Sequence, residues 1–182
     1  MTSRFGLACI LAAASALTMS TPLAGGPNKP SDSQEKTTMS KAPSLPAQMY
    51  AVKTARSIDG IIKDLRSGNK NENLMSGNGI GCRVFIQHEQ DVTTNQAEVH
   101  DGADDIFVIM EGTATFILGG QLDAPQQVQP GEWRASGITG GKEFKVSKGD
   151  VILVPRGTPH KRVTAGQDIT LMIVKAFTPA GK

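Results

Sequence analysis

Disulfide chemistry is almost missing from this chain. Of 182 residues only Cys9 and Cys82 are cysteines, and Cys9 lies in a leader-like N-terminus, which leaves Cys82 alone. One such chain closes no disulfide framework, so its fold rests on its core. Cys82 falls in an apolar, strand-like stretch and reads as a buried structural thiol. Aromatic residues are as scarce, at 4% with one Trp and one Tyr, so the core must be mostly aliphatic. The net charge is small, at +2. Removing residues 1–24 takes away Arg4 and no acid, leaving 18 basic against 17 acidic side chains. No basic block or aromatic-interleaved basic stripe occurs, which argues for a small-molecule or protein partner and against nucleic acid. No apolar run reaches the ~20 residues of a membrane-spanning helix.

What is there divides into four parts. Residues 1–24 have the form of a secretory signal peptide: Arg4, an uncharged apolar run from Phe5 to Met19, then small residues at Ser20 and Ala24-Gly25. The expected product is secreted or periplasmic, with no membrane span once the signal is removed. Residues 25–47, rich in Pro, Ser, Gly, Lys and Thr, read as a disordered linker. Residues 48–79 read as one short helix and a polar connection. Ile58, Ile61, Ile62 and Leu65 recur at helical spacing between Ser57, placed as N-cap, and Gly68. Residues 80–178 form a single β domain.

In that domain Cys82, Val84, Ile86 and His88 alternate with Arg83, Phe85 and Gln87. His88 shares the apolar parity, facing a cavity or hydrogen-bonded at a strand end. The segments 104–110, 113–118, 142–146, 151–154 and 169–177 are rich in Val, Ile, Phe and Thr and bounded by Gly, Pro or Asp. Glu111-Gly112 reads as a tight hairpin turn, and Gly119–Gly141 as a long excursion holding the only Trp. Short strands with such turns predict a jelly-roll barrel or sandwich. Ile106, Val108 and Met110 on one face, with Phe107 and Ile109 on the other, need cover on both sides. The helix or a partner copy supplies the outer cover, and a homodimer through outer sheet faces, with strand exchange near Cys82–His88, is expected.

Two motifs carry the chemistry. The first is Glu98-Val-His100-Asp-Gly-Ala-Asp-Asp105, closed by Gly112; the second runs from Gly149 through Pro155, Gly157 and His160. Residues two apart on a strand share a face, so Glu98 and His100 point the same way, and the turn at Asp101–Ala103 brings Asp105 back beside them. These motifs resemble the signature pair of the cupins, G-x5-H-x-H-x3–4-E-x6-G and G-x5-P-x-G-x2-H-x3-N. The second matches except for Thr164 in place of Asn. In the first, Glu98 stands in the first histidine slot, Asp105 in that of the glutamate, and Val92 in that of the opening glycine.

The resemblance covers roughly residues 80–177. It implies an all-β cupin jelly-roll β-barrel with a metal held by His100, Asp105, His160 and Glu98. Asp104 replaces Asp105 if the register slips by one. Such an N/O set suits a divalent Fe, Mn, Ni or Zn ion. Trp133 reads as a lid or as loop packing, with Arg134 placed to hold an anion. The Lys161-Arg162 pair reads as solvated charge or as an attractor for an acidic ligand. Two functions follow: a metal-dependent enzyme of dioxygenase, isomerase or lyase type acting on a small oxygenated molecule, or a non-catalytic small-ligand-binding or sensing module.

Overall fold

The computed structural model describes residue 45 and residues 50–77, 79–93 and 96–178. The signal expected over 1–24 and, Leu45 apart, the linker expected over 25–47 lie outside them. One helix, α1 (Ala55–Leu65), precedes twelve strands: β1 (Lys70–Met75), β2 (Cys82–Gln90), β3 (Ala97–His100), β4 (Ala103–Leu118), β5 (Gln121–Leu122), β6 (Gln126–Gln129), β7 (Glu132–Ala135), β8 (Ile138–Thr139), β9 (Lys142–Ser147), β10 (Val151–Val154), β11 (His160–Val163) and β12 (Asp168–Phe177). Ten of them run in the order β1-β2-β12-β4-β11-β3-β7-β6, with β9 and β10 also paired to β4, while β5 and β8 pair separately. This is an all-β antiparallel jelly roll with one short helix before it. No helix among the described residues is long and apolar enough to cross a membrane.

The helix begins slightly before its expected place. Thr54 rather than Ser57 is the N-cap, its Oγ1 accepting from Ser57 N at 3.3 Å. Either hydroxyl can cap, and Ala55–Ser57 tolerate helical geometry, so the earlier cap lengthens the helix. The polar stretch after it is not a plain connection. Lys70–Met75 pairs antiparallel with β2, and Leu74 is buried with Ile62, Leu65 and Ile86. Pairing and that one anchor override the low strand propensity of Asn and Lys.

Glu111-Gly112 is not a hairpin turn. β4 runs unbroken for 16 residues and changes partners at that point. Its first part pairs with β10 and β12, its last part with β9 and β11. Met110 is an extra residue there, since Ile109 opposes Leu171 while Glu111 opposes Thr170. Gly112 has φ +76°, and a Cβ on it would stand 1.8 Å from the Asp168 carbonyl oxygen. The glycine therefore permits a bulged corner and a close backbone approach. Beyond this corner Thr115–Leu118 pair with β11, the strand that carries His160 of the second motif.

The Gly119–Gly141 segment is likewise ordered into β5–β8. Its strand β7 pairs with β3, setting Arg134 opposite Glu98 and Glu132 opposite His100. Short strands rich in Gln, Gly and Pro carry little sequence signal, but they bring two charged groups to the site.

Across β2, β12 and β4 the register builds inward rows: Arg83–Lys175–Asp105, Phe85–Ile173–Phe107 and Gln87–Leu171–Ile109. The apolar rows continue into a core of Phe107, Ile109, Phe116, Ile169, Leu171 and Ile173. The alternate residues Val84, Ile86 and Met172 pack with Met110 under α1 on the other face. His88 follows Ile86 to that face and bonds through Nδ1 to Thr170 Oγ1 at 2.9 Å; it does not reach the cavity. Cys82, at the start of β2, is only partly buried. The helix covers one end of the outer face, and Val151 and Leu153 on β10 remain 64% and 61% exposed.

Candidate metal centre

β3 and β11 meet at one register pair, Glu98 opposite His160. The Gly157 amide donates to the His100 carbonyl at 2.8 Å, which pins the turn of the second motif to the strand of the first. Gly157 has φ +75°, a backbone state that glycine supplies without strain. Asp104 turns outward, where its carboxylate accepts from the Arg156 amide and guanidinium at 2.7–3.0 Å. The register therefore directs Asp105, not Asp104, inward.

Inside, the four expected residues converge. His100 Nε2 lies 3.2 Å from Asp105 Oδ2 and 3.8 Å from Glu98 Oε2. His160 Nε2 lies 3.3 Å from Glu98 Oε1 and 3.6 Å from Asp105 Oδ2. Ligand atoms of Glu98, His100 and His160 all fall within 4.8 Å of one another. Asp105 is engaged from its other side by Lys175, whose Nζ stands 2.8 Å from Oδ1 and 3.0 Å from Oδ2. His100, Asp105 and His160 are all buried.

The hydrogen bonds behind the imidazoles set their tautomers. His160 Nδ1 contacts the Thr158 carbonyl oxygen at 2.9 Å. A carbonyl only accepts, so Nδ1 carries the proton and the neutral ring presents a bare lone pair at Nε2. That Nε2 is buried without a hydrogen-bond partner. His100 Nδ1 stands 2.6 Å from Glu132 Oε2, and a carboxylate there assigns its proton in the same way. Two inward Nε2 atoms thus face two carboxylates across a few ångströms. Outer bonds that aim a ring nitrogen inward are the usual support of a metal-ligating histidine.

The electrostatics agree. Burial pushes the Glu98 carboxyl upward, but contact with and charge of His160, then Arg162 and His100, overcome it and bring it down to about 2. Burial also raises Asp105, and bonds from His100 and Lys175 outweigh it, so it too ends below the ordinary carboxylate value. Burial lowers His100 and Lys175 repels its proton; Asp105 and Glu98 more than compensate and leave it raised. Acidic groups held ionised beside a His100 imidazole that favours a positive charge describe a cation site.

A cavity of about 440 Å³ opens onto this centre, lined by Glu98, His100 and Asp105, by Phe85, Phe107 and Ile173, and by the cations Arg83, Arg134, Arg162 and Lys175. Arg134 Nη2 contacts Glu98 at 3.2 Å and its Nη1 contacts Glu132 at 3.5 Å. Trp133, of opposite parity, donates from Nε1 to Asp101 at 2.8 Å and forms no lid. Arg162 is not solvated surface charge: its side chain is 11% exposed and grips buried Glu89. Neither Glu132 nor Lys175 belongs to the two motifs. Lys175 had a signal, since it is the one charge on the inward parity of an otherwise apolar strand. Glu132 had none while its strand read as a loop.

No family model and no curated protein matches this chain. Solved structures do. A protein from Bacillus halodurans aligns with a TM-score of 0.50 and 17% identity over 74% of this chain and 86% of its own. A cupin-like protein from Thermotoga maritima aligns at 0.42 and 14% over 58% and 66%. The DMSP lyase DddQ from Ruegeria pomeroyi aligns at 0.45 and 15% over 65% of this chain and 52% of its own, so this chain spans about half that enzyme's length. Identities this low carry the fold and nothing of the activity. With the corner strand, the two motifs and the inward site in place, the chain has the fold of the cupin superfamily.

Proposed function

We propose that this chain is an exported divalent-metal cupin acting on a small oxygenated molecule held in the 440 Å³ cavity. The observation that supports this most is the buried His160 Nε2, which has no hydrogen-bond partner and faces Glu98 at 3.3 Å, beside His100 Nε2 at 3.2 Å from Asp105. Acceptors gathered this closely away from water are stable around a cation. Glu98, His100 and His160 are the proposed ligands, with Asp105 as the fourth. A bound Fe, Mn, Ni or Zn ion supplies a Lewis acid or a redox centre. The chain's own groups do the rest. Glu132 and the Thr158 carbonyl aim the imidazoles, Arg134 steadies Glu98, and Phe85, Phe107 and Ile173 keep one wall dry. Dioxygenase, isomerase and lyase chemistry all use such a centre. Export rests on the leader-like residues 1–24, and a homodimer on the exposed Val151 and Leu153.

Elemental analysis of the purified protein tests the centre. About one metal per chain is expected, and its loss in the double variant His100→Ala/His160→Ala. Metal retained undiminished in that variant overturns the reading.

A second reading has its own support. Lys175 and His100 already partner Asp105, so protons on the imidazoles can replace an ion and leave a non-catalytic ligand-binding module. Saturable ligand binding that is equal with and without metal, and no turnover, favours that module.

A further inference from the structure

Arg83 and Lys175 stand directly opposite one another on β2 and β12, and Lys175 in turn opposes Asp105 on β4. All three line the cavity. Like charges directly across a strand pair repel, and one carboxylate serves both. Lys175 takes it, at 2.8 Å. Arg83 bonds only to Asn73 Oδ1 at 3.4 Å and lies over the Phe85 ring at 4.7 Å; among the described residues it has no acidic partner. The guanidinium is thus held at the cavity wall by a ring face, with its charge uncompensated. With Glu89 counted against Arg162, four cations and four carboxylates balance around the cavity, and Arg83 is the cation left without a carboxylate. A divalent ion would make the cavity positive.

We infer that the cavity's ligand is a small carboxylate whose anionic group is held by Arg83 and Lys175. The inference rests on the cavity of the proposed function as the ligand site, but it does not use the metal as the anchor. Arg83 and Asp105 are two strand spacings apart, about 10 Å. A carboxylate seated at the Arg83–Lys175 pair therefore reaches the imidazoles with a chain of a few carbons. The ligand class is a short carboxylic acid bearing a second oxygen group, the carboxylate accepting from a guanidinium that can present two parallel donors.

Calorimetric titration with glycolate and succinate, each beside its neutral amide, tests this on the full chain, metal-loaded and metal-stripped, with metal content measured separately. At least one acid is expected to bind saturably and its amide to bind much more weakly. Arg83→Gln, at a solvent-reaching position, is expected to weaken the acid about tenfold or more, with metal content unchanged and Arg83→Lys, which keeps the charge but not the paired donors, recovering only part of the loss. Amides binding as well as acids, an Arg83→Gln protein binding like the parent, or no acid binding to the metal-loaded protein would each overturn the inference. If the protein holds no metal yet binds an acid through Arg83, the carboxylate site stands and the metal reading falls.

Discussion

The two faces of β2 differ more than its composition suggests. Arg83, Phe85, Gln87 and Glu89 look into the cavity side, whereas Val84, Ile86 and His88 look toward α1 and its surroundings. Alternation reads as apolar-inside when a sheet has one wet face. Here the helix dries the outer face and the cavity keeps the inner one polar, so the apolar parity lies outside the barrel. Stability and function are thereby separated onto alternate residues of one strand. Ile86→Ala breaks the comparison most severely. The side chain is fully buried among Ile62, Leu65 and Leu74, and its truncation should cost about 2–5 kcal/mol in denaturant unfolding. Metal and ligand stoichiometry of the folded fraction should not change. His160→Ala should instead remove the metal, with a loss of metal-free stability smaller than that of Ile86→Ala. Equal stability losses in the two variants would show that the faces are not separable.

The next largest effect belongs to the corner. Gly112→Ala must move the Asp168 carbonyl or unbend β4, since its Cβ would meet that oxygen at 1.8 Å. A loss of roughly 1–3 kcal/mol is expected, the range of strained backbone. A Tm within one degree of the parent would mean that the corner is soft.

The same corner shows why the site was legible and part of the fold was not. His100, Asp105 and His160 could be placed because Pro155, Gly157 and the His100-Asp-Gly turn are short-range devices that dictate direction. Gly112 is just as local, yet a hairpin and a bulged corner both ask for φ > 0, and only the partner strand decides between them. β1 and β7 were hidden for a related reason. Lys70–Met75 and Glu132–Ala135 are held by long-range pairing, which periodicity does not register. Reading β7 as a loop is what hid Glu132 behind His100.

Acidity separates a metal from a proton at the centre. In the metal-free protein the raised His100 contributes stability that is fully present below its unfolded value and is lost as pH rises through its folded value. Glu98, depressed to about 2, contributes in the opposite sense, present above its unfolded value and lost as pH falls toward 2. Metal binding displaces the imidazole protons. Metal-loaded protein should therefore gain stability as pH rises through the His100 range, where the metal-free protein loses the His100 contribution. Thermal unfolding at pH 5.5–8 with and without chelator checks this crossing. Identical trends in both samples would leave protons as the only occupant of the centre.

The smallest effect on stability is expected on the outer face beyond the helix. Leu153, paired with Ile106, is 61% exposed and Val151, paired with Val108, is 64% exposed. Two large aliphatic side chains so open, beside half-buried Ile106 and Val108, form a surface that a partner copy would cover. The β5–β8 segment does not cover it, because β6 and β7 extend the sheet from β3 instead. In a monomer, Leu153→Lys should change unfolding free energy by no more than about 0.5 kcal/mol, since the side chain already meets water. In a dimer closed through this face it should halve the mass in light scattering while the monomer stays folded. A parent that scatters as a monomer across a wide concentration range ends the dimer proposal. A variant that unfolds outright shows instead that Leu153 packs within its own chain, so the outer face would be core at both ends.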